Sequence, residues 1–138
     1  MILDTSGLLA AIDSDQRSHA AARRAIEADG GPFILSPFVL AELDYLLATR
    51  VGRGAQLALL DEVGRGAYRL ERFTATDVAR ATEVLRRYED LDLGLTDASN
   101  VVLSRRHGVS DILTLDERHF RVLSAAENRP FRLLPADL

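Results

Sequence analysis

Four acidic residues stand where a carboxylate is expected to do more than solvate a surface: Asp4, Glu42, Asp97 and Asp116. Asp4 directly follows the apolar pair Ile2-Leu3, and Asp116 follows Ile112-Leu113-Thr114-Leu115. Asp97 sits one residue after Thr96, with Asn100 about one helical turn further along the same face. Glu42 lies inside the apolar run PFVLAELDYLL, between Leu40 and Leu43. Each has an ordinary explanation. Asp4 and Asp116 suit helix N-caps, and Asp97 suits the positive end of a helix dipole. A carboxylate on or beside a buried stripe, as Glu42 is expected to be, needs either an arginine partner or a metal ion. Together the four say more. Carboxylates gathered at one mouth would repel by roughly 4 kcal/mol per close pair at an effective dielectric of 20. Such a cluster persists if some acids stay protonated or if divalent cations neutralise them. Hard oxygen donors, with no thiolate or paired imidazole among them, suit Mg²⁺ or Mn²⁺.

The rest of the composition narrows the chemistry. There is no cysteine, so disulfides, thiolate zinc sites and cysteine nucleophiles are excluded. All 17 basic residues are arginine. A P-loop lysine, a Schiff-base lysine and the late lysine of phosphoacceptor signalling domains are therefore excluded too. His19, His107 and His119 form no local metal-binding pair; His119 alone lies close in sequence to one of the four acids, and a surface or packing role is expected for it. The formal charge of −4 gives no overall attraction to nucleic acid. Two divalent ions would cancel it and let an acidic mouth accept a phosphodiester. The pairs Arg23-Arg24, Arg86-Arg87 and Arg105-Arg106, with Arg50, Arg53, Arg65 and Arg69, give soft support for phosphate contact.

The elements that must position these acids follow from hydrophobic patterning. Short apolar runs at Ile2-Leu3, Phe33–Ser36, Ile112–Leu115 and Phe131–Leu134, with an alternating run at Tyr68–Phe73, read as strands. Helical patterns fill the intervals: through Leu8 to Ile12, from about Arg17 to Ala28, from Pro37 to near Val51, through Gln56 to Val63, after a Thr74 or Thr76 cap, from Leu95-Thr96 to Gly108, and briefly at Glu117–Phe120. Strands separated by helices predict an α/β fold with a central, mainly parallel sheet of about five short strands flanked by helices. The 138 residues suit one domain, 1–138. Ligands of such sheets gather beyond the carboxyl ends of the strands, where Asp4 and Asp116 are expected. The N-terminus has no basic segment followed by a long apolar one, and no stretch approaches the ~20 apolar residues of a membrane span. A cytoplasmic protein with no membrane partner is expected.

Asp4-Thr5-Ser6, Glu42 in SPFVLAELDYLL, Asp97 in GLTDASNVVLSRRHG and Asp116 in DILTLDERHF occur in an order and spacing that resembles the motifs of PIN-domain ribonucleases, and more narrowly the VapC toxins of bacterial toxin–antitoxin pairs. The resemblance covers nearly the whole chain. It implies a PIN-like fold and a Mg²⁺-dependent (or Mn²⁺-dependent) endoribonuclease, with Asp4, Glu42, Asp97 and Asp116 as catalytic and metal-binding residues. Asp4 and Asp97 are the foremost ligands in that pattern, and Thr5, Ser6 and Thr114 orient water or a carboxylate from behind. It also implies hydrolysis leaving a 5′-phosphate and a 3′-hydroxyl, a structured RNA substrate, a VapB-type antitoxin whose tail lies across the acidic mouth, and a homodimer joined by the apolar helices after residue 37. Two other readings share the fold: an RNA-processing nuclease with no toxin role, and a catalytically silent RNA- or protein-binding module.

Overall fold

The computed structural model describes residues 1–138. Five short strands, β1 (Ile2–Leu3), β2 (Ile34–Leu35), β3 (Arg69–Leu70), β4 (Asp111–Leu113) and β5 (Arg132–Leu134), form one sheet in the order β3-β2-β1-β4-β5. Every neighbouring pair is parallel, with Ile2 level with both Ile34 and Ile112, and Ile112 level with Leu133. That register turns strand alternation into two cores. Ile2, Ile34, Ile112 and Leu133 point to one face, while Leu3, Leu35, Leu113 and Leu134 point to the other.

Helices α1 (Thr5–Ile12), α2 (His19–Asp29), α3 (Pro37–Arg50) and α4 (Arg53–Gly64) cover the leucine face. Helices α5 (Ala75–Arg87) and α6 (Leu95–His107), with Phe120 of the one-turn α7 (Glu117–Phe120), cover the isoleucine face. No helix is long and apolar enough to cross a membrane.

The element boundaries obey local chemistry. Pro37 opens α3 behind Ser36, whose hydroxyl accepts from the Phe38 N–H at 3.2 Å. Gly30 ends α2 in the left-handed conformation. Thr74, not Thr76, caps α5, in a reciprocal capping box with Asp77. The alternating run at Tyr68–Phe73 contributes only Arg69–Leu70 to the sheet, and both residues are exposed. As the edge strand, β3 has one neighbour, β2.

The chain winds outward from β1 through β2 to β3, then returns to place β4 on the other side of β1. The change of direction opens a crevice between β1 and β4, at the carboxyl ends where Asp4 and Thr114 emerge. Gly7 holds α1 tight against this crevice. A Cβ there would collide with the backbone carbonyl of Leu113 on β4. Gly7→Ala is therefore expected to destabilise by about 1–3 kcal/mol, lowering the melting temperature by about 5–10 °C in a circular dichroism melt. An unchanged melt would mean that α1 is free to move off the sheet.

Candidate metal centre

The end of β1 delivers Asp4 into the crevice 5% exposed. Although it stands at the N-cap of α1, its side chain makes no capping bond. The carboxylate is instead held by three side chains. Asn100 Nδ2 donates to Oδ1 at 3.1 Å, while Thr114 Oγ1 and Ser6 Oγ donate to Oδ2 at 2.7 and 3.2 Å. Burial outweighs these bonds, and with the negative charge of Asp97 it pushes the Asp4 carboxyl up to about 6.

Helix α6 starts beside that carboxylate with Gly94 as its N-cap. Asp97, in the first turn, accepts from the Gly94 N–H at 3.3 Å. This local bond serves the helix, yet burial and the charges of Asp116 and Glu42 still raise the Asp97 carboxyl above its usual range. Asp116 does cap its helix, α7, by accepting from the His119 N–H at 3.0 Å. Capping and facing the site are compatible, because the cap uses Oδ1 while Oδ2 turns toward the His119 ring.

Glu42 stands beside the buried stripe of α3 rather than on it. It is exposed, on the flank of the line formed by Val39, Leu43 and Leu47. Neither an arginine nor burial accounts for it. Its carboxylate accepts a short hydrogen bond from Thr96 Oγ1, one residue before Asp97, so the α3 glutamate is anchored to the start of α6. Ser36 and Ser99 reinforce this junction with a buried 2.7 Å hydroxyl pair.

All four carboxylates line one cleft of about 390 Å³, whose walls also include Thr5, Ser6, Gln16, Thr96 and Arg50. Thr5 is buried in the wall, but its hydroxyl has no partner and so steadies no carboxylate. Ser6 and Thr114 do, and Ser6 Oγ further accepts from the Leu115 N–H at 2.9 Å, tying the two strand ends together.

His119, assigned by sequence to surface or packing, belongs to the site. Its Nδ1 is 2.8 Å from Asp116 Oδ2 and 3.9 Å from Asp97 Oδ2. The closer contact lies off line for a hydrogen bond, which leaves the buried nitrogen without an aligned partner. Asp97, Asp116 and His119 bring one donor atom each within 4.8 Å of one another. Asp4 and Glu42 line the same cleft outside that tight group. The only sequence signal for His119 was its three-residue spacing from Asp116, which a one-turn helix converts into proximity.

The donor set fits a hard divalent cation. Four carboxylates face one cleft, and among cationic side chains only His119 lies within ion-pairing distance of any of them. Two buried oxygens nearby, Thr5 Oγ1 and Asn100 Oδ1, have no protein partner. Uncompensated negative charge beside unfilled polar atoms is what an ion and its water would satisfy.

Comparison with known proteins gives matches over nearly the whole chain. The family model described as PIN domain matches residues 1–125. Ribonuclease VapC26 of Mycobacterium tuberculosis (strain ATCC 25618 / H37Rv) is 43% identical over 135 residues, covering 98% of this chain and 100% of the relative. Among solved structures, the crystal structure of Mycobacterium tuberculosis VapC20, a sarcin–ricin loop cleaving toxin, superposes with a TM-score of 0.81 at 28% identity. The match covers 94% of this chain and 98% of that one.

Proposed function

The chain belongs to the PIN-domain family, and from that premise we propose that it is a divalent-metal-dependent endoribonuclease, one PIN domain over residues 1–138, acting as the toxin of a VapBC-type toxin–antitoxin pair. The observation that carries the reading is the convergence of Asp4, Glu42, Asp97 and Asp116 on one cleft with no arginine within ion-pairing distance of any of them.

In this reading the four acids hold Mg²⁺ or Mn²⁺, which supplies charge neutralisation and Lewis-acid activation for phosphodiester hydrolysis when bound. The chain's own residues set the geometry. Thr114 and Ser6 fix one oxygen of Asp4, and Thr96 fixes Glu42 against α6. Arg50, the only arginine lining the cleft, stands ready to meet an RNA phosphate as it enters. A structured RNA is the proposed substrate, with the ribosomal sarcin–ricin loop the first to test because the structurally similar VapC20 cleaves it.

A cytoplasmic setting and a VapB-type antitoxin complete the proposal. The exposed Tyr45, Val51, Leu57 and Leu60 on and between α3 and α4 support a homodimer through that face.

Mapping RNA 5′ ends after induced expression tests the function directly. The wild type is expected to create new 5′-phosphate ends at a few positions in structured RNA, to arrest growth, and to be relieved by the partner antitoxin. Asp97→Asn is expected to create none. New ends that appear equally with Asp97→Asn would remove the nuclease assignment.

A further inference from the structure

Asn100 is wholly buried on α6, in the buried stretch from Ala98 to Ser104, whose other polar members, Ser99 and Ser104, bond elsewhere, to Ser36 and to the Val109 carbonyl. Its amide makes one side-chain hydrogen bond, from Nδ2 to Asp4 Oδ1 at 3.1 Å. The other side-chain donors on Asp4, Thr114 and Ser6, both reach Oδ2. Asn100 is thus the only side chain that fixes Oδ1. Its own Oδ1 is left buried with no partner. The opposite amide orientation would set two oxygens against each other, so Asp4 dictates this one.

A buried amide with an orphaned carbonyl is a poor choice for stability, because an apolar residue of similar volume would bury no unpaired acceptor. Its position explains the choice. Asn100 lies three residues after Asp97, so the same turn of α6 that presents Asp97 also grips the carboxylate at the end of β1. The terminal torsion of an aspartate is soft, and donors on one oxygen alone leave its plane free to swing.

We propose that Asn100 is a positioning residue of the metal centre: by bridging α6 to Asp4 Oδ1 it fixes the carboxylate plane of Asp4 relative to Asp97, so that both acids address one divalent ion. The inference deepens the metal-dependent reading above and rests on it. Asn100 acts through Asp4 and touches no substrate.

The test uses the full chain stripped with chelator and titrated with Mn²⁺, free ion being read by electron paramagnetic resonance, alongside thermal melts. Asn100→Leu is expected to fold and melt within a few degrees of wild type while binding Mn²⁺ about 10–100-fold more weakly. Asp4→Asn weakens binding by its own route, and adding Asn100→Leu to it is expected to weaken binding no further. A purely structural role would not produce that non-additivity. Wild-type Mn²⁺ affinity in folded Asn100→Leu would overturn the proposal, and so would losses that simply add. Asn100→Ser, smaller and still polar, guards against misfolding. If neither variant folds, Asn100 is a folding residue and the proposal fails. Absence of Mn²⁺ binding by the wild type would instead sink the metal-dependent reading itself, an outcome separate from any behaviour of the Asn100 variants.

Discussion

Asp4→Asn is expected to reduce RNA cleavage to background while making the metal-free fold progressively more stable, relative to wild type, as pH rises. The loss of activity follows from removing a charged oxygen donor that three side chains are arranged to aim. Deleting even an outer partner of a metal ligand costs 10–100-fold, and losing the ligand charge should cost more. The stability effect has the opposite sign. Burial raises the Asp4 carboxyl from 3.8 to about 6. Between those values the folded chain keeps a proton that the unfolded chain has released. The resulting stabilisation is complete below pH 4 and is lost as pH climbs through 6, which leaves a deficit of about 3 kcal/mol at neutral pH relative to acid. Asparagine has no such proton to lose. It also serves the three donors around Asp4 less well, which offsets part of the gain at every pH. Melting curves in chelator should therefore show the variant gaining on wild type by several degrees between pH 4 and 7.5. A gap that stays flat with pH would refute the strained, buried state of Asp4, and retained cleavage would refute its role.

That opposition between site and fold explains which parts of the molecule were legible in sequence. Ile2-Leu3 and Ile112-Leu113 declare themselves as strands because both faces of a parallel sheet are buried, and the acids that follow them then fall at the carboxyl edge by topology alone. For Glu42 the same kind of pattern leaves its place, on or beside the buried stripe, undecided. In PFVLAELDYLL Val39, Leu43 and Leu47 are fully buried, Leu40 and Leu46 pack part-buried against the same core, and Tyr45 is 68% exposed. Apolar residues thus spread beyond the fully buried stripe, and a single sequence does not say where that stripe ends. Asn100 and His119 were unreadable as site residues for another reason. Asn100 meets a partner 96 residues away, and His119 meets Asp97 of α6 as well as Asp116 three residues before it, so both places depend on how the elements pack. Residues chosen for partners distant in sequence leave little local trace.

Excess chelator is expected to abolish cleavage, with Mg²⁺ or Mn²⁺ restoring it, and the amount of ion needed should rise as pH falls below about 6. The chain carries a formal charge of −4, and its cleft concentrates four carboxylates where a phosphodiester must sit. Without a cation, substrate and site repel each other at close range, and no arginine pairs directly with the acids. The raised carboxyls of Asp4 and Asp97 show how the cleft relieves this strain when no ion is available: it holds on to protons. Ion and proton therefore compete for the same oxygens, so metal binding should release protons near pH 6 and weaken as acid fills the sites. The same competition predicts a thermal readout independent of RNA. Adding Mn²⁺ at 100 times its dissociation constant should stabilise the folded chain by about 2.7 kcal/mol. That rise should shrink steadily toward pH 5, because each proton bound removes a charge that the ion would otherwise meet. Unchanged turnover in excess chelator would exclude a metal-dependent reaction. A Mn²⁺-induced melting shift that ignores pH would place the bound ion somewhere other than beside Asp4 and Asp97.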